Sequence, residues 1–406
     1  MESKELFAEA LELKRPWYIK KVYFKGEGSQ KILHIDIGHT KRTKFKYDAE
    51  EFPVYDHQER TWRHLNFFQH ECHINASVPR VKIKDGSVKL VDVPWALKGS
   101  SFSLLFEYDI LELIKEGMSA TGVGRKYEIG GKTVFRIVRK HTSYALATQE
   151  IAVVKELAVD ETSSKRGHNY FTIMSDRKAK IVVGVGVGKD KEAFNHALID
   201  MEIRGADRHE VRCVTMDMSI SYITSVDECM SQADIVFDRF HIVKKMNEAV
   251  DEVRRQDQKE FGELKKSRYL WLKNNSNLKE EQRSKLNILS AACPNIGTAY
   301  RLKELLKIVL DNAYSSHLIT PLNEWIKEAW SSGLKPIQKF INMLRNHWYG
   351  IKGYFERLAT NAYAERINLK IQEIKRVAKG YRNVNNFITM IYFHLGGLKL
   401  KSTEFG

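Results

Sequence analysis

Between Val153 and His241 the chain reads as three strands, a helix, a strand, a second helix and a last strand. The strands are VKELAVD, NYFTIMS, AKIVVGVGV, VRCVTMD and DIVFDRF, and the helices run from Lys191 to Arg204 and from Ser219 to Gln232. Strands that are apolar almost throughout, instead of alternating, are buried on both faces. By analogy of element order this is an α/β core of the RNase H-like kind.

Two acids stand out against that order. Asp160 ends the apolar run LAVD and Asp217 ends the apolar run VTMD, so each sits where a buried strand meets solvent. If the two strands are adjacent and parallel, as the order requires, both carboxylates emerge at one edge of the sheet and repel unless a cation lies between them. Hard oxygen ligands holding Mg²⁺ or Mn²⁺, two ions in the fullest form, are the logic of metal-assisted phosphoryl transfer. A third acid, Glu365, opens the helix ERINLKIQEIKRVAKG, whose apolar face is Ile367, Ile371, Ile374 and Ala378. Helix geometry sets Glu365 opposite that face with Gln372, Arg376 and Lys379. Taken singly, each acid has a simpler explanation: a strand-end Asp caps turns and a helix-start Glu complements the helix dipole.

The flanking regions differ in period. Residues 1–98 read as a small β-rich module, with period-two alternation in KILHIDI. Its His57, His64, His70, Cys72 and His73 lie close in sequence and raise the question of a metal, although packing among Trp62, Phe67 and Phe68 accounts for them more simply. Residues 99–148 predict three helices with a glycine-containing turn before the last, a helix-turn-helix presenting Lys132, Arg136, Arg139 and Lys140. Residues 149–241 carry the first part of the core. Residues 242–350 are helical throughout, an insertion, and 351–406 bring the final helix and tail.

Charge narrows the partner. The 66 Lys and Arg outnumber the 51 Asp and Glu, giving a formal +15, and such an excess attracts polyanions, double-stranded DNA foremost. From Lys335 to Arg382 eleven bases face three acids, which suits phosphate contacts. No apolar stretch is long enough to span a bilayer, and the acidic N-terminus lacks a secretory pattern, so the expectation is a cytoplasmic protein associated with the nucleoid when on DNA. Four scattered cysteines form no C-x-x-C pair and argue against a thiolate zinc site.

The phrases LAVDETSSKRGHNYFTIMSD, VTMDMSISYI, IVFDRFHIVKKMNEAVDEVRR and TNAYAERINLKIQEIKRVAKGYRNVNNF resemble, in order and spacing, the DDE transposases of the insertion-sequence L-three family. ERTWRHLNFFQHECHINASVPRV and VPWALKGSSFSLLFEYDI are similar to that family's N-terminal half. The resemblance implies cleavage at the ends of a mobile element and joining of the freed 3′ ends to target DNA, carried out by an oligomer on DNA. It implies a catalytic, metal-binding triad of Asp160, Asp217 and Glu365, with Asp238 and His241 of DRFH supporting it. DNA contacts fall to Arg366, Lys375, Arg376 and Lys379 beside the helix-turn-helix bases. Where family members carry an N-terminal zinc ribbon of paired cysteines, this chain has none. A DNA-binding protein that has lost catalysis, or a nuclease of the same fold, are the alternatives.

Overall fold

The computed structural model describes residues 3–28, 31–48, 50–165, 169–316, 319–357 and 362–400. The chain divides into two compact units, Met1–Ser143 with Lys399–Gly406, and Tyr144–Leu398.

The first unit begins with helix α1 (Ser3–Ala10) and a sheet of β1 (Trp17–Lys25), β2 (Ile32–His39), β3 (Lys44–Tyr47), β4 (Glu50–Phe67), β5 (His70–Lys82) and β6 (Val88–Leu90). The strand order is β1-β2-β5-β4-β3, with β6 on β5. Period two sends Trp62, Cys72, Ile74 and Ala76 inward to a core with Leu33, Ile35 and Trp95. Trp95 packs edge-on to both Trp17 and Trp62. Of the aromatics the sequence set beside the histidines, Phe68 is exposed, whereas Phe67 lies opposite His70 in the β4–β5 ladder; His70 also meets Phe24, His73 meets His34, His57 stacks on His39 and the His64 ring bonds the Ser103 hydroxyl.

Helices α2 (Leu104–Lys115), α3 (Ala120–Lys126) and α4 (Gly131–Thr148) follow. Ser103 and Ser119 cap α2 and α3 by accepting the N–H of Phe106 and Gly122. A Cβ at Gly124 would stand 2.6 Å from the Ile129 carbonyl oxygen, so the turn from α3 into α4 is this tight only with glycine there. Beneath them the buried Glu107 takes His141 Nε2 at 2.6 Å and the Ser100 hydroxyl at 2.6 Å, a polar pin inside an otherwise apolar three-helix core.

The second unit is built on β7 (Glu156–Lys165), β8 (Asn169–Asp176), β9 (Ile181–Val187), β10 (Cys213–Met216) and β11 (Asp234–Phe237), with α5 (Lys191–Ile203) between β9 and β10 and α6 (Ile220–Cys229) between β10 and β11. The sheet order is β11-β10-β7-β8-β9. The hairpin strands β7, β8 and β9 pair antiparallel, whereas β10 and β11 run parallel to β7. Leu157, Val159, Val214, Val236 and Phe237 are fully buried, as strands covered on both faces require. Glycine in β9 lets α5 settle onto the sheet: a Cβ at Gly184 would overlap the Ala197 carbonyl oxygen at 1.9 Å.

After β11 come α7 (Arg239–Asp257), α8 (Arg268–Leu272), α9 (Glu280–Ala292), α10 (Pro294–Ser316), α11 (Thr320–Ser331), α12 (Lys335–Asn346) and α13 (Trp348–Arg357), with no strand among the described residues of this stretch. α13 packs on β11, α14 (Ala362–Val377) on β7, and α15 (Val384–Leu395) on β9. The element order after Val153 thus follows the sequence reading, except that β11 stops at Phe237. Asp238 leaves the strand and caps α7, its Oδ1 accepting the Phe240 N–H at 3.2 Å.

Candidate active site

Parallel pairing sets the acids in a row. Ala158 of β7 is in register with Thr215 of β10, and Thr215 with Val236 of β11. Asp160, Asp217 and Asp238 each lie two residues further along their own chain segments. Neighbouring strands are about 4.8 Å apart, so three aspartates arrive side by side at the C-terminal edge of the parallel strands. The Asp238 N–H donates to the Met216 carbonyl at 2.9 Å, which carries the ladder to the position next to the row.

Each carboxylate is braced locally. Asp160 Oδ1 accepts the Glu161 N–H at 2.8 Å and Asp217 Oδ1 accepts the Ser219 N–H at 2.9 Å. Burial, together with the charges of Asp238, Asp217 and Glu161, pushes the Asp160 carboxyl up to about 7. Burial also raises Asp238, and the Glu365 carboxylate adds to the rise while His241 and Arg239 oppose it. The four acids therefore share one electrostatic neighbourhood, with His241 beside it. As they stand, no three His, Cys, Asp or Glu side chains among the described residues are gathered tightly enough to hold a metal ion.

Helix α14 reaches the row through a length mismatch in the sheet. β10 pairs with β7 only over Glu156 to Ala158, so β7 overhangs from Asp160 onward and its β10-side backbone lacks a strand neighbour. Side chains of α14 fill that edge. Asn368 Nδ2 donates to Asp160 Oδ2 at 2.7 Å and lies 3.4 Å from the Glu161 carbonyl. Gln372 Nε2 donates to the Thr162 hydroxyl and the Ser163 carbonyl, both at 3.0 Å, and Lys375 Nζ to the same carbonyl at 3.2 Å. Carbonyls two residues apart point the same way along a strand, and residues four and three apart share a helix face. Those two periods make the ladder fit. Ile367, Ile371 and Ile374 are buried on the sheet side, while Glu365 and Arg366 at the start of the helix are exposed.

Asn368 and Gln372 escaped the sequence reading as site residues. Their only signal is spacing from Glu365 along one helix, which has no meaning until the overhang of β7 is known. Lys375, expected to contact DNA, is occupied with Ser163, whereas Arg376 and Lys379 are exposed. On α4, Lys132, Arg136 and Arg139 are exposed and Lys140 is half-buried, its Nζ 3.2 Å from the Lys98 carbonyl.

Residues 157–391 match the family profile described as transposase of the ISL3 group, which spans more than half of the chain. The chain belongs to the ISL3 family of transposases. Residues 91–142 of this transposase match the helix-turn-helix domain of family ISL3, and residues 47–85 match the zinc-finger of the IS204, IS1001, IS1096 and IS1165 transposases. It is 28% identical over 284 residues to the transposase for insertion sequence element IS1001 of Bordetella parapertussis, covering 68% of this chain and 70% of the relative. It is 25% identical over 368 residues to the transposase for IS1557 of Mycobacterium tuberculosis, covering 83% and 82%.

Within the zinc-finger match the transposase has one cysteine, Cys72, buried with its thiol pushed up to about 12 by desolvation. A thiol held protonated is a poor metal ligand. An apolar core around Trp62, Ile74 and Trp95 fills the module. Among the described residues no helix is long and apolar enough to cross a membrane.

Proposed function

We propose that this transposase cuts DNA at the ends of its element and joins the freed 3′ ends to target DNA, using an RNase H-like sheet whose acidic edge holds divalent cations. The observation that supports this best is the register of three adjacent parallel strands, which aligns Asp160 on β7 with Asp217 and Asp238, the residues directly after β10 and β11, beside the helix bearing Glu365.

The donor set fits a hard cation. It is made of carboxylate oxygens, with Asp160 raised by burial and further by its acidic neighbours, and Asn368 adds an amide oxygen that is buried without a hydrogen-bond partner among the described residues. Asp160, Asp217 and Glu365 are the ligands in this reading. Bound Mg²⁺ or Mn²⁺, as one or two ions, supplies Lewis-acid charge at the reacting phosphate. Asn368 fixes the rotamer of Asp160, and Asp238 with His241 forms the outer support. Arg366, Arg376 and Lys379 hold phosphates on either side, and the helix-turn-helix grips duplex DNA through Lys132, Arg136 and Arg139.

Both steps are in-line displacements at phosphorus. In the first, a water oxygen forms a bond to phosphorus as the P–O3′ bond breaks, leaving a 3′ hydroxyl and a 5′ phosphate. In the second, that 3′ oxygen attacks a target phosphodiester and displaces its 3′ oxygen. Acting on two ends at once calls for a homo-oligomer on DNA.

Purified full-length protein, incubated with Mg²⁺ and duplexes carrying the ends that flank its own gene, tests the proposal. Nicking with a 3′ hydroxyl product and joining to a plasmid are expected, both abolished by Asp217→Asn. Nicking without joining would mark a nuclease. Binding without either would mark a protein that has lost catalysis.

A further inference from the structure

Helix α7 leaves the acidic row with Asp238 as its cap and then lines a groove of about 730 Å³ that the reading above does not use. The groove follows one face of α7, from Phe240 at the acidic end to Arg255, and is closed by Arg268 and Leu272 of α8. At 1.5 Å per residue that face is about 22 Å long, room for several nucleotides of one strand.

Its two ends differ in chemistry. Phe240 is 55% exposed although it lies within the first turn of α7, where its N–H donates to the Asp238 cap. Further along, Asp251 is approached by three guanidiniums, Arg254 at 2.8 Å, Arg268 at 3.4 Å and Arg255 at 3.7 Å, each through Nε. One carboxylate balances one of the three cations. Arg254 is buried and spends Nη1 on Gln258 at 2.5 Å, whereas the side chains of Arg255 and Arg268 are 64% and 56% exposed. Lys244 and Glu248 also line the groove, and Glu248 is paired with Lys245 at 2.9 Å. Between the ends, Asn247 Oδ1 is buried with no hydrogen-bond partner among the described residues, an acceptor set for an N–H donor.

We propose that this groove binds single-stranded DNA, the strand that runs from the acidic row. A base stacks on Phe240, a base N–H such as the thymine N3–H donates to Asn247, and backbone phosphates take the forks of Arg255 and Arg268. An aromatic platform joined to a cationic track is what unpaired nucleic acid requires. Duplex DNA keeps its base faces stacked internally and has no use for an exposed phenylalanine at that place. The excess positive charge is complementary to a phosphodiester chain and argues against a peptide segment of neutral or basic character. The direction of the strand rests on the active-site assignment. The binding itself does not.

The test uses the full chain in EDTA, where phosphoryl transfer is suppressed, and reads fluorescence anisotropy of a labelled single-stranded oligothymidine and of an element-end duplex. Phe240→Ala and the double variant Arg255→Ala/Arg268→Ala alter exposed side chains, and unchanged melting curves confirm that they fold. Each should weaken oligothymidine binding about tenfold and leave duplex-end affinity within about twofold. Arg136→Ala/Arg139→Ala on α4 should show the reverse pattern. Unchanged oligothymidine affinity in both groove variants would overturn the proposal. So would equal losses on single strand and duplex, which would make the groove a duplex surface. Because the readout needs no cleavage, an inactive acid row would leave this result standing.

Discussion

Asn368 and Asp160 are joined by a 2.7 Å hydrogen bond from Nδ2 to Oδ2, while Asp160 Oδ1 is held by the Glu161 N–H at 2.8 Å. Both oxygens of one carboxylate are thereby aimed, one by its own strand and one by the helix that carries Glu365. Asn368→Ala frees Oδ2. Mg²⁺-dependent end cleavage should fall about ten- to a hundredfold, with a raised Mg²⁺ requirement. Single-turnover cleavage against Mg²⁺ concentration measures both, and activity equal to wild type would remove Asn368 from the site.

Burial of Asp160 beside other acids couples its charge to stability. The folded Asp160 carboxyl sits at about 7 against an ordinary 3.8, so between those values the folded state binds more protons than the unfolded one. Stability of the metal-free protein therefore falls as pH rises from about 4 to about 7, by at most about 4 kcal/mol from this group. Asp160→Asn removes the charge. In EDTA at pH 7.5 its Tyr144–Leu398 unit should melt several degrees above wild type, the gap closing toward pH 4. A variant that melts lower at both values would contradict the assignment.

Glu365 and Glu373 lie on one helix and should respond differently. Glu373 is exposed and paired with Lys370 at 2.9 Å, whereas Glu365 is felt by Asp238. Glu365→Gln keeps shape but loses the charge a divalent cation needs, so cleavage and joining should collapse while end binding survives. Glu373→Gln should retain activity. Cleavage assays on both variants decide between them.

On α4, the exposed Arg136 and Arg139 should each contribute about one unit to the slope of log affinity against log salt, as one phosphate contact does. Lys140, turned to the Lys98 carbonyl, should contribute less. Titrations of each alanine variant at several salt concentrations give the slopes directly.

The strands of the core were legible because burial on both faces writes them as apolar runs, and Asp160 and Asp217 were conspicuous as the acids that end two of those runs. The last strand was read too far, through Phe240, although Asp238 before an amphipathic run is a recognisable helix cap. Asn368 and Gln372 could not be read, since they meet Asp160, Thr162 and the carbonyls of Glu161 and Ser163 along an edge of β7 that is exposed only by the unequal lengths of β7 and β10. The same mismatch took Lys375 away from solvent. In the N-terminal module the absence of paired cysteines was plain from the sequence. The packing of the histidines depended on which face of β4 or β5 each one takes, which one misplaced residue of register inverts.

The acidic row is split in the order of synthesis. The helix-turn-helix and all three aspartates leave the ribosome first, and Glu365 and Asn368 follow only after the whole of α7 to α13. A transposase truncated within those helices, by a stop codon or a proteolytic nick, keeps the α4 arginines yet lacks the helix that completes the row. On the proposed reading such a fragment is expected to retain end binding through α4 and to lack cleavage, which band shifts and nicking assays on the truncated chain would check.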